Sequence, residues 1–184
     1  MAKNAEIVEE INDGNVYLRK ISKKDVIFLF NSLNNENLTK FLSLGPLKSL
    51  EHSKRLIKGY LKYWESYIQF NYIIELKSNR MEKIGSISIW NINWKHLRGQ
   101  IGIWLAPLYW KKGFGKKALI MIKDIAFHYL KLNRLEAYVA TENRRSIHLF
   151  ESCNFHKEGL LKQYLKFNGM QYDAFIMASL KEKE

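Results

Sequence analysis

The clearest pattern lies between Gly99 and Leu130, where an apolar strand, a basic glycine loop and an amphipathic helix follow one another. Gln100 to Leu105 is short and rich in Ile and Trp, which is typical of a strand buried on at least one face. Pro107 ends it. Apolar residues then recur at intervals of three and four, and they predict a helix with one apolar face: Ala118, Ile122, Ile125, Ala126 and Tyr129.

Before this stretch, the pattern predicts a strand, two helices and two further strands. Ser22 has the side chain of a helix N-cap and precedes an apolar face of helical spacing. The two helices are expected to pack together over one end of a sheet, and the two strands form an antiparallel meander with Gln100 to Leu105. The predicted elements are Val16 to Ile21, about Lys23 to Leu33, Ser49 to about Tyr67, Phe70 to Leu76 and Lys83 to Ile92.

After this stretch, a strand is predicted at Arg134 to Ala140, a short helix at Ser146 to Cys153, and a hairpin of Phe155 to Phe167 and Gln171 to Leu180. Asn168-Gly169 between the last two strands is favoured in tight turns. Strand, helix and strand in sequence require one parallel crossover. The prediction is one α+β domain over residues 1–184, with a mixed, mostly antiparallel central sheet flanked by helices and a poorly ordered or loosely packed segment at residues 1–14.

The composition and the N-terminal sequence predict where in the cell the protein is located. The 184-residue chain is 47% hydrophobic, and no run approaches the ~18 apolar residues of a membrane span. The acidic N-terminus, with Glu6, Glu9 and Glu10, lacks the basic segment and the apolar segment of a signal peptide. Cys153 is the single cysteine, which excludes an intramolecular disulfide and a cysteine metal cluster. A cytoplasmic protein with no membrane partner and no metal is predicted.

Positive charge is concentrated around the glycine loop. The formal net charge is +12, and residues 91–130 hold seven basic residues and one acid, Asp124, a balance of +6. The basic residues are Lys95, Arg98, Lys111, Lys112, Lys116, Lys117 and Lys123. Such a region attracts a polyphosphate ligand or nucleic acid.

The loop itself suits an anion. Gly113 and Gly115 stand where a helix begins, and the first N–H groups of a helix lack partners. A P-loop is excluded because it needs glycine at Trp110 and Ser or Thr at Lys117. Gly113, Gly115 and Ala118 satisfy the dinucleotide fingerprint, but seven residues, 106–112, separate it from the strand. A phosphate site and a solvated basic turn both remain open.

Four segments occur in order: Ala106 to Trp110 leading into Gly113-Phe114-Gly115, Asn143 to Ser146, Asn154-Phe155 followed by Glu158-Gly159, and the terminal hairpin with Asp173. In this order and spacing the chain, from about Val16 to Leu180, resembles the GNAT superfamily of acyl-CoA-dependent N-acetyltransferases. It is most similar to the group of ribosomal-protein N-terminal acetyltransferases and spermidine acetyltransferase. The resemblance implies a GNAT-like sheet, acetyl-CoA as cosubstrate without a metal, and a primary amine as acceptor.

The resemblance also implies roles for individual residues. The main chain of Ile103, Trp104 and Leu105 would contact the pantetheine arm, where the strand splays from its neighbour. Asn143 would bond the cofactor and Phe150 would pack beside the thioester. The loop around the pyrophosphate would consist of Trp110, Lys111, Lys112, Gly113, Phe114, Gly115 and Lys116. Ordinary structural roles stay open for Trp104 and Phe150 in the core and for Asn143 as a helix cap.

Two departures concern proton transfer. Phe150 stands where many relatives carry a tyrosine acid, and the resemblance to ribosomal-protein enzymes assigns that role to Ser146 instead. Gln100 stands where some relatives carry a glutamate base, and an amide cannot accept the proton. Glu75, Glu142 and His148 are candidate bases by residue type only.

The acceptor follows from charge. A +12 protein should repel a polycation, which favours a protein N-terminal amine such as that of a ribosomal protein over a polyamine or small amine. A non-catalytic acyl-CoA sensor and a nucleic-acid-binding module using Lys95, Arg98, Trp90 and Trp94 are alternatives of other classes. In the enzyme interpretation nucleic acid is at most an indirect partner, and a homodimer stays open.

Overall fold

Eight strands form one mixed sheet in the computed structural model, which describes residues 4–182. The strands are β1 (Glu10–Asn12), β2 (Val16–Lys20), β3 (Phe70–Lys77), β4 (Met81–Asn93), β5 (Arg98–Leu105), β6 (Arg134–Ala140), β7 (His156–Phe167) and β8 (Met170–Leu180). Their spatial order is β1-β2-β3-β4-β5-β6-β8-β7, and every neighbouring pair is antiparallel except β5 and β6. The predicted α+β fold with one parallel crossover is confirmed.

Five α-helices accompany the sheet among the described residues: α1 (Val26–Leu33), α2 (Glu36–Thr39), α3 (Leu50–Glu65), α4 (Phe114–Asp124) and α5 (Arg144–Glu151). The chain enters α1 through a 3-10 turn, where Ser22 and Asp25 form a capping box. The sequence pattern missed two details. The Asn-rich break contains α2, capped by Asn35, and α4 continues as a π-helical turn over Ile125–Tyr129.

The two faces of the sheet are both covered. Side chains alternate along each strand, so Ile101 and Leu105 of β5 share one buried cluster with Ile122 of α4. On the opposite face, Trp104 packs against the cluster that joins Ile73 to α1 and α3. The predicted packing of the first two long helices is thereby confirmed, and β5 becomes the strand between the two layers.

A gap opens between β5 and β6. The two strands pair only where Arg98–Gln100 lies beside Arg134–Glu136, and beyond Gln100 they separate. The Ala106 N–H donates to the Ile84 carbonyl at 2.8 Å, which fixes the register of β5 on β4. Because hydrogen-bonded pairs alternate along an antiparallel ladder, the N–H and C=O groups of Ile103 point away from β4 into the gap. The splay predicted for this strand is present.

The final hairpin has the turn that the sequence predicts. Asn168 and Gly169 both have positive φ, 48° and 82°, as a tight two-residue turn between twisted strands requires. β7 and β8 pair along their length, with register shifts between Lys157 and Gly159 and between Leu161 and Leu165. The second shift curves the hairpin near the end of β6.

The N-terminal segment, predicted to be poorly ordered or loosely packed, makes defined hydrogen bonds from Glu6 onward. Within residues 1–14, residues 1–3 lie outside the described part, and β1 pairs with β2. The Glu6 N–H donates to the Tyr129 carbonyl at 2.9 Å, and the buried Tyr72 hydroxyl donates to the Val8 carbonyl at 2.7 Å. A buried hydroxyl needs a partner, and this segment supplies it.

Residues 4–182 contain no helix with the length and apolar character needed to cross a bilayer. Within the same range, no three His, Cys, Asp or Glu side chains are grouped closely enough to hold a metal ion, and Cys153 is a buried free thiol. The cytoplasmic location stays a prediction.

Candidate active site

A cavity of about 810 Å³, the large cavity, opens at the gap beside β5. Its walls come from α2 and the following loop, the end of β5, the glycine loop and the start of α5. It brings together ten of the predicted site residues: Ile103, Trp104, Leu105, Trp110, Lys111, Gly113, Gly115, Lys116, Asn143 and Ser146. Sequence segments about thirty residues apart therefore form one site.

The glycine loop presents free backbone donors to this cavity. Gly113 is the N-cap of α4 with φ +83°, a conformation that favours glycine. The first intrahelical bond runs from the Lys117 N–H to the Gly113 carbonyl at 3.2 Å. The N–H groups of Phe114, Gly115 and Lys116 thus precede the helical ladder and are available to an anion.

Gly115 lies at a tight packing contact between α4 and α5. A Cβ at this position would lie 3.2 Å from the Leu149 side chain of α5 and 3.5 Å from Leu105. The absence of a side chain lets α4 approach α5 closely and brings the two helix starts to the same cavity. The second glycine is therefore a packing residue, while the first shapes the backbone.

Trp110 ties the loop to β5. Its indole N–H donates to the Leu105 carbonyl at 2.7 Å, and the Arg145 guanidinium lies 3.7 Å from the ring centroid. This cation–π contact joins the loop to the first turn of α5. Four cations line the large cavity, and none of its described lining residues is a carboxylate; the cations are Lys111, Lys116, Arg144 and Arg145.

The basic region predicted from residues 91–130 is divided in space. Lys117 pairs with Asp13 at 2.8 Å, and Arg98 pairs with Glu136 at 3.2 Å. Lys123 donates to the Cys153 carbonyl at 2.8 Å, and burial lowers its pKa. Of the seven basic residues only Lys111 and Lys116 line the large cavity; Arg144 and Arg145 of α5 complete the charge there.

Three predicted site residues lie outside the large cavity. Lys112 is exposed with its ammonium 5.9 Å from the Tyr109 ring, and Phe114 packs beside the same ring. Phe150 is only 3% exposed and packs edge-on against Phe155, with centroids 5.0 Å apart. Their side chains do not line the large cavity, although Phe150 lines the neighbouring small cavity and the backbone N–H of Phe114 is part of the helix start.

A second cavity of about 230 Å³, the small cavity, adjoins the large one. The two share Phe41, Leu42, Ile103, Asn143 and Ser146. Gln100 lines the small cavity, and six of its eighteen lining residues are aromatic: Phe41, Trp90, Tyr138, Phe150, Tyr164 and Phe167. Nothing in the local sequence signals this cavity, because its walls come from residues 41–43, 90, 100–103, 137–140, 143, 146, 150, 164, 165 and 167.

Asn143 and Ser146 stand at the junction of the two cavities. The Asn143 side-chain oxygen accepts a hydrogen bond from the Ser146 N–H at 3.2 Å, so Asn143 is the N-cap of α5. Ser146 is half-buried, and within residues 4–182 its hydroxyl makes no hydrogen bond to the protein. The hydroxyl is therefore available to a ligand that passes from one cavity to the other.

The candidate bases are not at the junction. Glu75 accepts two hydrogen bonds from Arg19, at 2.7 and 3.0 Å, within a buried network that includes Asp25. Burial opposes ionisation of Asp25, but hydrogen bonds from Arg19 and Lys83 outweigh it and hold its pKa well below the usual range. Glu75 is thus a structural residue. Glu142 is exposed and lines neither cavity, and His148 lines the exposed side of the large cavity.

Comparison with known proteins decides the family. The sequence profile described as "Acetyltransferase (GNAT) domain" matches residues 15–156. The chain belongs to the GNAT acetyltransferase family. The predicted resemblance to the GNAT superfamily is confirmed, and the chain is an acetyltransferase of the GNAT type.

Relatives place the GNAT chain near amine acetyltransferases. Spermidine N(1)-acetyltransferase of Vibrio cholerae is 28% identical over 166 residues, which cover 90% of this chain and 93% of the relative. The crystal structure of spermidine N-acetyltransferase from Vibrio cholerae with CoA and spermine has a TM-score of 0.81 at 27% identity, covering 91% of this chain and 96% of that one. Mycobacterium smegmatis RimJ, solved with CoA-disulfide, shares the fold with a TM-score of 0.81 at 24% identity, covering 90% and 81%.

Proposed function

We propose that this GNAT chain binds acetyl-CoA in the large cavity and transfers the acetyl group to a primary amine held in the small cavity. The observation that carries the proposal is the junction itself. Ile103, Asn143 and Ser146 line both cavities, so two ligands can meet beside the free edge of β5. Such a junction suits direct transfer in a ternary complex, because the two reactants are held together and aligned.

The large cavity has the chemistry that CoA requires. The diphosphate would meet the free N–H groups at the start of α4, with Lys111, Lys116 and Arg145 around them. The pantetheine amides would pair with the N–H and C=O of Ile103, which point into the gap. An extended anionic ligand therefore finds a cationic entrance and a strand edge in sequence along one cavity.

The residues at the junction then determine the chemistry. Acetyl-CoA supplies an acetyl group activated as a thioester. The amine nitrogen attacks the acetyl carbon, the C–N bond forms as the C–S bond breaks, the nitrogen loses one proton and the sulfur gains one. The Ser146 hydroxyl can donate that proton to the sulfur, while Phe150 has none to give. A backbone N–H group beside the thioester would stabilise the negative charge on the carbonyl oxygen.

Two acceptor classes are supported by different observations. The cations at the large cavity and the absence of carboxylates from the described walls of both cavities support a protein N-terminal amine. The kinship to spermidine acetyltransferases supports a polyamine equally well. Both are primary amines, so the proposed reaction is the same.

The proposal is tested by thiol release from acetyl-CoA in the presence of short peptides with free N-termini and of spermidine. We expect acceptor-dependent release and a product 42 Da heavier, the mass of an acetyl group replacing hydrogen. CoA uptake without release for every acceptor would identify a sensor. Absence of CoA uptake would overturn the proposed function.

A further inference from the structure

We propose that the small cavity selects a single primary amine carried on an aromatic or apolar group and rejects polyamines. The inference rests on the proposed function, because it names the class of acceptor for the same reaction. Three properties of the small cavity lead to it: the aromatic character of its walls, the compensated charge beneath it and its size.

The walls present aromatic rings from both sides. Tyr138 and Tyr164 are stacked with centroids 5.1 Å apart and planes 22° from parallel. Phe41 and Phe167 meet edge to face at 6.3 Å across the opposite side. Trp90 closes the floor, since its ring occupies the space where a Cβ on Gly102 would lie. An apolar or aromatic group gains burial and ring contacts in such surroundings.

No carboxylate is among the described residues that line the small cavity. Glu136 lies beside Gln100 in the β5–β6 register, but it is 5% exposed and already neutralised. Arg134 donates to it at 2.7 Å and Arg98 at 3.2 Å. Burial and the neighbouring Glu136 both raise the pKa of Tyr138, so its hydroxyl stays neutral at physiological pH. The walls therefore offer no counterion to an ammonium group.

A polyamine would meet an unfavourable environment here. Only the attacking nitrogen of a polyamine becomes neutral. Its other ammonium groups would lie against aromatic walls that offer no counterion, or toward Arg144 and Arg145 in the adjoining cavity. A monoamine leaves no such charge once it is deprotonated. Cation–π contacts recover part of the cost of one ammonium, but not of several beside like charges.

The size of the small cavity agrees with this class. Its volume of about 230 Å³ exceeds the ~150 Å³ of an engineered apolar cavity that binds benzene. Tyr164 at its rim is 52% exposed, so the cavity opens to solvent on the β7 side. Either a free arylalkylamine or the N-terminal residue of a peptide can place a ring inside.

The test is a comparison of acceptors with saturating acetyl-CoA: 2-phenylethylamine, a peptide amide beginning with Phe, the same peptide beginning with Asp, and spermidine. We expect kcat/KM for an aromatic amine to exceed that for spermidine by roughly tenfold or more, equivalent to about 1.4 kcal/mol. The first two acceptors distinguish a small molecule from a peptide as the source. Equal or better use of spermidine overturns the inference but leaves the proposed function standing, whereas no release from any acceptor overturns both.

A charge introduced into the small cavity sharpens the test. Gln100→Glu keeps the shape of the side chain and adds one carboxylate beside Trp90 and Gly102. We expect it to lower KM for spermidine relative to 2-phenylethylamine by at least about threefold, whereas an added general base alone would raise kcat for both. Gln171→Glu, an exposed residue of β8, is the matched control and should leave the ratio unchanged. An unchanged ratio in Gln100→Glu, with CoA affinity intact, would contradict the inference.

Discussion

The two cavities meet at the same residues, yet they have opposite character. The large cavity combines four cations with free N–H groups at a helix start, and the small cavity is lined by aromatic, aliphatic and neutral polar side chains without a free charge. The difference separates the two ligands. A polyanion is directed to the α4 side by charge, and an apolar amine is directed to the β6 side by burial, so each reactant has one favourable place beside Ser146.

The largest effect is expected from a variant that disrupts the anion-binding large cavity. Gly113→Val forces a β-branched residue into φ +83°, where it costs about 1–3 kcal/mol and displaces the loop. We expect CoA affinity to fall by roughly 100-fold or more, measured by calorimetry. Gly169→Val is the matched control, because Gly169 has φ +82° in the distant hairpin and open space around it. If both variants bind CoA equally well, the loop is not part of the site.

The second prediction concerns the pH dependence of transfer to an amine in the uncharged small cavity. With no described carboxylate lining the small cavity, deprotonation should follow the acceptor amine itself. We expect kcat/KM to rise about tenfold per pH unit up to the amine's own pKa, about 8 for a peptide N-terminus and about 10.4 for an alkylamine. The measurement is the pH profile with one acceptor of each kind. A common breakpoint for both acceptors would instead reveal an enzyme base.

The third effect concerns the junction. Ser146→Ala removes the hydroxyl that lies between the cavities, and we expect kcat to fall by about 10²-fold with CoA affinity little changed. Ser152→Ala provides the control: Ser152 also lines the large cavity, but its hydroxyl is occupied by the Leu149 carbonyl at 2.8 Å. Single-turnover kinetics separate chemistry from binding. Equal rates for Ser146→Ala and wild type would remove the proton-donor role.

The smallest effect is expected from two basic residues that lie near the site in sequence but differ in their position in the structure. Arg145→Gln removes the charge stacked on Trp110 and should weaken CoA binding about five- to tenfold, with a shallower salt dependence. Lys117 directly follows the glycine loop in sequence, yet it pairs with Asp13 and does not line the large cavity, so Lys117→Gln is the matched comparison. It should change CoA affinity by less than about twofold. A larger loss of CoA affinity in Lys117→Gln than in Arg145→Gln would contradict this division and support the single basic region predicted from the sequence.

Part of the large cavity was predictable, the glycine loop from its local sequence signal and residues 103–105, 143 and 146 from the family resemblance, whereas its wall from α2 was not. A helix start exposes N–H groups wherever a glycine loop precedes it, and residues 103–116 and 143–146 each carry their part of the site in one short stretch. The strands and the Asn168-Gly169 turn were predictable for the same reason, since alternation and turn chemistry are local. The distribution of free and paired charges in space was not predictable from the sequence. The pairing of Lys117 with Asp13 joins residues about a hundred positions apart.

The small cavity was not predictable because tertiary packing alone creates it. Phe41 follows a short helix in an Asn-rich break, and Tyr138 and Tyr164 become stacked only when β6 and β7 flank β8. The attachment of residues 6–14 likewise depends on the buried Tyr72 hydroxyl and its acceptor at Val8. No periodicity in these segments reports their partners.

The most direct measurement is a titration of CoA into isotopically labelled protein, followed by backbone amide chemical shifts. The account predicts saturable shifts, one site per chain, concentrated at residues 103 and 113–116 and at the start of α5, with residues 168–171 of the hairpin turn unmoved. Shifts centred on Lys95 and Arg98, or no saturable shifts at the start of α4, would contradict it.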